Sequence, residues 1–166
     1  MPPSVYRIPL DVPGSLYVMP KPSGEWLQED IVAYRHVGMS KIISLLTREE
    51  ADELGLTTEA QVCRCQGIDF LQHPIPDRAV ADKKALAVLA GQIHTELGAG
   101  RGVGIHCRAG IGRSGMLACC VLAFHGFTAN EAIAAVGKAR GVPVPDTDEQ
   151  TEFIREFYSD QNPSVC

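Results

Sequence analysis

His106-Cys107-Arg108-Ala109-Gly110-Ile111-Gly112-Arg113-Ser114-Gly115 is the stretch on which the fold of this chain turns. It follows the apolar run Val103-Gly104-Ile105 and leads into a second one, Met116 to Phe124, so the order reads strand, tight loop, helix. A loop of that kind turns successive backbone N–H groups inward and adds the positive end of a helix dipole. It suits a tetrahedral dianion such as phosphate, cradled by Arg108, Ala109, Gly110, Ile111, Gly112 and Arg113. Gly110 and Gly112 lack a Cβ and let the backbone turn toward the ligand. The Arg113 guanidinium is a planar fork able to grip two phosphate oxygens at once. Cys107, at the base of the loop, lies in the same positive field, which favours thiolate over thiol. A thiolate facing phosphorus is a nucleophile in position. The plainer alternative is a glycine-rich turn with a buried cysteine and a surface arginine.

The 166 residues suffice for one domain with a real core, expected to span 1–166. Apolar content of 45% and charged content of 21% fit a soluble globular protein. The net charge of −5 argues against nucleic acid or an anionic membrane as partner, while leaving room for a local positive pocket. No apolar run approaches the length that spans a bilayer. Met1 to Leu10 holds prolines and no apolar signal-peptide core, so the six cysteines point to a reducing cytoplasm rather than a disulfide framework. The oligomeric state stays open.

Working outward from the loop, Leu16 to Met19 reads as a strand, followed by a turn at Pro20 to Gly24. Leu27, Ile31 and Tyr34 have helical spacing, with Gly38 as the stop. Lys41 to Leu46 reads as a buried strand and Ile68 to Leu71 as another. Thr47-x-x-Glu50, Thr58-x-x-Gln61, Thr128-x-x-Glu131 and Thr147-x-x-Gln150 each fit a capping box. Asp82 caps a helix whose stripe is Leu86, Leu89, Ile93 and Leu97. The helix after the loop is apolar nearly all round and should be central. Alternating strands and helices imply an α/β domain with a central, largely parallel sheet flanked by helices, its ligand beyond the C-terminal strand ends.

The full string of His-Cys, five residues, Arg, Ser and Gly resembles the signature of the protein tyrosine phosphatase superfamily. The stretches KIISLLTREEADELGL, QGIDFLQHPIPD and HCRAGIGRSG follow in the order of its small dual-specificity-like members. The resemblance implies a cysteine-phosphatase fold and a hydrolase of phosphate monoesters that works through a cysteinyl-phosphate intermediate, with no cofactor and no metal. It implies a phosphorylated protein as substrate, phosphotyrosine foremost, with phosphoserine and phosphothreonine beside it. It also implies a shallower pocket than that of the larger tyrosine phosphatases. A phosphoinositide, an inositol phosphate or an RNA 5′ phosphate would keep the chemistry and change the substrate. A phosphate-binding module without turnover is a third reading, which intact Cys107, Arg113 and Asp77 speak against.

Asp77 stands on the proline-stiffened segment His73-Pro74-Ile75-Pro76-Asp77, 30 residues before Cys107, where the family keeps its general acid. A turn residue bonded to backbone is the alternative. Asp82 is better explained as a cap and Asp69 as a strand residue. Ser114 is expected to hydrogen-bond the Cys107 sulfur and ease its departure as a thiolate, or else to be an ordinary first-turn residue. His106 braces the loop or simply packs. Gln150 caps the last helix or places the hydrolytic water. Where inositol-lipid phosphatases of the superfamily place lysines inside the loop, this chain has Ala109 and Ile111. Arg78, beside the acid, contacts a phosphopeptide or is a solvated surface residue.

Cys63-x-Cys65 lacks a second pair for zinc. Some relatives carry a redox partner for the nucleophile in this region, so Cys63 or Cys65 is a candidate for a disulfide with Cys107. Cys119 and Cys120 read as core and Cys166 as an exposed terminus. His73 and His125 read as structural.

Overall fold

Every residue of β5 (Gly102–His106) is buried, as a strand inside a sheet covered on both faces must be. The computed structural model describes residues 1–161 and orders five strands as β1-β2-β5-β3-β4. β1 (Tyr6–Ile8) runs antiparallel to β2 (Ser15–Met19). β2, β5, β3 (Lys41–Ser44) and β4 (Asp69–Gln72) are mutually parallel. Seven helices cover the sheet among the described residues: α1 (Leu27–His36), α2 (Arg48–Glu53), α3 (Glu59–Cys65), α4 (Lys83–Gly98), α5 (Gly112–Leu122), α6 (Ala129–Arg140) and α7 (Asp148–Gln161). None of the described helices is long and apolar enough to cross a membrane.

The period of two along each strand divides the core. Leu16, Val18, Ile43, Val103 and Ile105 join one apolar cluster with α4, α5 and α7. Tyr17, Met19 and Ile42 point the other way and pack with Leu27, Ile31 and Tyr34 of α1 and Cys63 of α3. As its composition demands, α5 is buried along its whole length. Parallel strands end on one edge, so the segments after β3, β4 and β5 gather there.

The local signals largely hold. The Thr47/Glu50 and Thr128/Glu131 boxes make both reciprocal bonds, and Asp82 accepts from Lys84 N at 2.9 Å. Thr147 Oγ1 accepts from Gln150 N at 3.1 Å while Gln150 Oε1 accepts from Thr147 N at 3.2 Å. The Thr58 box does not form, because Thr58 has φ −99° and ψ 8°. A capping side chain needs extended backbone to reach back to the N3 amide. β3 stops at Ser44, although Leu45 and Leu46 remain fully buried beyond it. The second expected strand starts one residue late, at Asp69. β1 escaped the sequence reading, since three residues carry no period. Cys166 lies outside the described residues.

Two glycines separate steric from conformational demand. A Cβ on Gly102 would lie 2.1 Å from Gly38 O, whereas one on Gly38 (φ +104°) would meet nothing within 4 Å. Gly38→Ala should therefore cost about 1–2 kcal/mol through left-handed backbone alone. Gly102→Ala must displace the turn before β3 and should cost about 3 kcal/mol, lowering Tm by about 6–12 °C. Thermal melts of both variants check this, and a smaller loss for Gly102→Ala than for Gly38→Ala would contradict it.

Candidate active site

β5 ends at His106 and the chain turns through Cys107 to Ile111 before α5 begins at Gly112. The loop's carbonyls point outward. Arg108 O accepts from Lys21 N at 3.1 Å, Ala109 O from Arg140 Nη2 at 3.0 Å, and Gly110 O from Arg140 Nε at 3.1 Å. A trans peptide sets the N–H opposite its C=O, so outward carbonyls turn the following amides inward. Gly110 N–H accordingly donates to Cys107 Sγ at 3.3 Å. Gly110 has φ +73°, and a Cβ there would strike Met19 C at 2.4 Å. Cys107 is 3% exposed and opens into a cavity of about 130 Å³ lined by Asp77, Arg78, Arg108, Ala109, Gly112, Arg113, Asp146 and Gln150. Gly110 is buried and Ile111 half-buried; neither lines the cavity, both act through backbone, and Ile111 packs on the core.

Arg113 is buried at 1% exposure, and a guanidinium taken out of water needs partners. Nη1 donates to Glu50 Oε2 at 2.7 Å and Nη2 to Glu50 Oε1 at 3.0 Å, a bidentate pair. Nη1 also reaches Ile75 O at 2.9 Å, and Nη2 reaches Asp77 Oδ1 at 3.1 Å. Burial works against the charge, but the Glu50 hydrogen bonds and the charges of Cys107, Glu50 and Asp77 outweigh it and raise the arginine's pKa. For Glu50, burial pushes up, and the Arg113 and Thr47 bonds overcome it to hold the carboxyl below its usual range.

Behind the loop, His106 Nε2 meets Glu59 Oε1 at 2.6 Å and Nδ1 meets Cys107 O at 3.1 Å, all fully or nearly buried. His106 thus braces the loop through both nitrogens. The Asp77 side chain is about half exposed at the cavity mouth, tied to Arg113. The other candidate carboxylates are engaged elsewhere: Asp82 caps α4, and Asp69 pairs with Arg101 at 2.7 Å. Arg78, at φ +60°, pairs with Asp146 at 2.8 Å across the cavity rim.

Ser114 makes no hydrogen bond to the Cys107 sulfur in this structure. Its hydroxyl is buried with no partner, and Sγ takes the Gly110 amide instead. Gln150 is both cap and cavity wall. Oε1 accepts from Asp146 N and Thr147 N, and Nε2 donates to Ala79 O at 3.1 Å, tying α7 to the segment that carries Asp77. Glu50, Glu59 and Arg140 were not among the expected site residues; nothing in their local sequence marks a partner so distant.

The geometry rejects a disulfide from α3 to Cys107. Glu59, at the start of α3, touches His106, and the helix then rises about 9 Å to Cys65, away from the loop. β4 begins there, opposite Lys41 at the start of β3. Cys63 packs on the opposite face of the sheet from Cys107, and burial, with Glu59 behind it, pushes its thiol up to about 12. Cys119 and Cys120 are core, as expected, their thiols raised by burial. Among the described residues no three His, Cys, Asp or Glu side chains group to hold a metal. His125 pairs with His94 at 3.1 Å.

A buried Cys-loop-Arg cradle at the C-terminal edge of a parallel sheet, with a carboxylate at its mouth, defines a cysteine-phosphatase site. Residues 9–161 match the family described as Swiss Army Knife protein, DSP-PTPase phosphatase domain, and the chain belongs to that family. Cyclin-dependent kinase inhibitor 3 of Homo sapiens is 27% identical over 133 residues, which are 79% of this chain and 63% of that protein. The chain thus spans less than two thirds of the curated relatives it matches. Kinase-associated phosphatase (KAP), solved with serine in place of its catalytic cysteine, superposes with a TM-score of 0.89 at 22% identity, covering 99% of each chain. The active form of Tk-PTP superposes with a TM-score of 0.75 at 26% identity, covering 96% of this chain and 99% of that one.

Glu50→Gln keeps the capping geometry and removes the charge. It should destabilise the chain at neutral pH by about 1.5–3 kcal/mol, the worth of a hydrogen bond to a charged group. A depressed carboxyl contributes stability above the unfolded carboxylate range and loses it as pH falls through the native value. The difference between wild type and variant should therefore shrink toward acid pH. Denaturant titrations across pH check this; a difference constant with pH would contradict it.

Proposed function

We propose that this chain hydrolyses phosphate monoesters in two steps, acting first on phosphotyrosine in proteins and also on phosphoserine and phosphothreonine. The observation that carries the proposal is the convergence of Cys107, the loop, Arg113 and Asp77 on one small cavity. Cys107 Sγ attacks phosphorus and the P–O bond to the leaving group breaks, with Asp77 giving its proton to the departing oxygen. The loop amides and Arg113 hold the equatorial oxygens, a cradle in place before charge develops. Water then attacks phosphorus as the S–P bond breaks, Asp77 takes the water's proton, and inorganic phosphate and the thiolate are released. The unpartnered Ser114 hydroxyl is available to donate to that leaving thiolate. Gln150 keeps one amide N–H beyond its bond to Ala79 and faces the cavity, where it would orient the water.

Ala109 lines the cavity with an apolar methyl and Ile111 packs on the core, so the loop holds no lysine for the further phosphates of a polyphosphorylated head group, which favours an aromatic ring or a peptide. Similarity to a cyclin-dependent kinase inhibitor and to a kinase-associated phosphatase favours a phosphoprotein in the same direction. Five free cysteines among the described residues support work in a reducing compartment, the cytoplasm.

Hydrolysis of aryl phosphates tests the assignment. Cys107→Ser should abolish turnover yet still bind phosphate, and Arg113→Ala should lose both. Asp77→Ala should slow release more as the leaving group's pKa rises, whereas Asp82→Ala should not. Appreciable turnover by Cys107→Ser would overturn the mechanism, and higher kcat/KM on phosphoinositides than on phosphotyrosyl peptides would overturn the substrate class.

A further inference from the structure

We infer that Arg140 is a positioning residue for the cysteine loop, and that Tyr6 of β1 seats it there; this rests on the loop being the phosphate site. Arg140 is the last residue of α6, where a cation also complements the helix dipole. Its Nη2 holds Ala109 O and its Nε holds Gly110 O, so one rigid fork fixes two consecutive peptides. Fixing the Ala109 carbonyl outward sets the Gly110 N–H inward, where it meets Cys107 Sγ at 3.3 Å. Fixing the Gly110 carbonyl does the same for the Ile111 N–H.

These are the peptides most in need of a clamp. They flank Gly110, whose missing Cβ lets the backbone adopt other dihedrals at little cost. A flipped peptide would present a carbonyl oxygen to a phosphate dianion in place of an N–H donor. Lys21 N holds the neighbouring Arg108 carbonyl, so a second element guards the entry to the loop. Among the described residues Arg140 has no carboxylate partner that would draw its fork elsewhere. Its guanidinium carbon instead lies 4.2 Å above the Tyr6 ring. β1 pairs through Tyr6 with Val18 of β2, so the N-terminal strand is the floor on which the clamp rests. A guanidinium bonded to the carbonyl side of a peptide also polarises it and strengthens its N–H as a donor.

Calorimetry with inorganic phosphate, on the full chain carrying Cys107→Ser, reads the clamp without turnover. Adding Arg140→Ala should weaken phosphate binding at least about tenfold, the loss of about one charge-assisted bond. Arg140→Lys keeps the charge at the helix end, and hence the helix, but a point donor cannot span both carbonyls; it should recover only part of the affinity. Tyr6→Leu should weaken binding about threefold. With Cys107 restored, kcat/KM on aryl phosphates should follow the same order. If Arg140→Ala or Arg140→Lys lowers Tm while phosphate affinity equals that of the parent, Arg140 is structural only and the inference falls. If the Cys107→Ser parent itself binds no phosphate, the proposed function falls and takes the inference with it.

Discussion

A guanidinium with 1% of its surface exposed is the constraint around which this site is assembled. Removing the charge of Arg113 from water is tolerable only if every donor finds an acceptor. The donor and its acceptors come from the segments that follow three parallel strands: Arg113 after β5 donates to Glu50 after β3 and to Ile75 O and Asp77 after β4. Sheet order decides that they can meet. β5 lies beside β3 and β3 beside β4, so three loops separated in sequence share one edge. The bidentate pair with Glu50 then fixes the plane of the fork in advance, and a phosphate would take the Nε hydrogen together with the Nη2 hydrogen that Asp77 holds here.

A second constraint shapes the loop beside it. Its amides are useful only while its carbonyls face out, and three carbonyls have donors to hold them there. From behind, His106 bonds Cys107 O and Glu59. A carbonyl oxygen only accepts, so Nδ1 carries a hydrogen, and one further proton lies along the 2.6 Å contact between Nε2 and the Glu59 carboxyl. That buried pair fixes the ring, and the ring fixes the peptide that carries the nucleophile. The left-handed backbone at Gly110 closes the turn against Met19.

Features written in local sequence were legible: the loop itself, the helix stripes, three of four capping boxes, and the proline-stiffened segment that carries Asp77. What escaped depends on partners far along the chain. Glu50 is fully explained locally by its box with Thr47, and the same carboxylate grips Arg113 across 63 residues. Glu59 looks like an ordinary acidic first-turn residue until folding sets it beside His106. Arg140 looks like a cation at a helix end, and Tyr6 belongs to a strand too short to show a period. At Cys63 and Cys65 the reverse holds: the resemblance suggests a disulfide partner in this region, and the direction of α3 removes it. At Thr58 a motif was present, but the backbone is not extended and the cap cannot close.

The central claim is that phosphorus passes through sulfur. Rapid mixing with a phosphotyrosyl peptide, acid quench within the first turnover and peptide mass spectrometry test it most directly. A burst of dephosphorylated peptide should match the enzyme concentration, with the phosphate recovered on Cys107. Turnover with phosphate on another residue, or with inverted configuration at a chiral phosphorus as in direct attack by water, would contradict it.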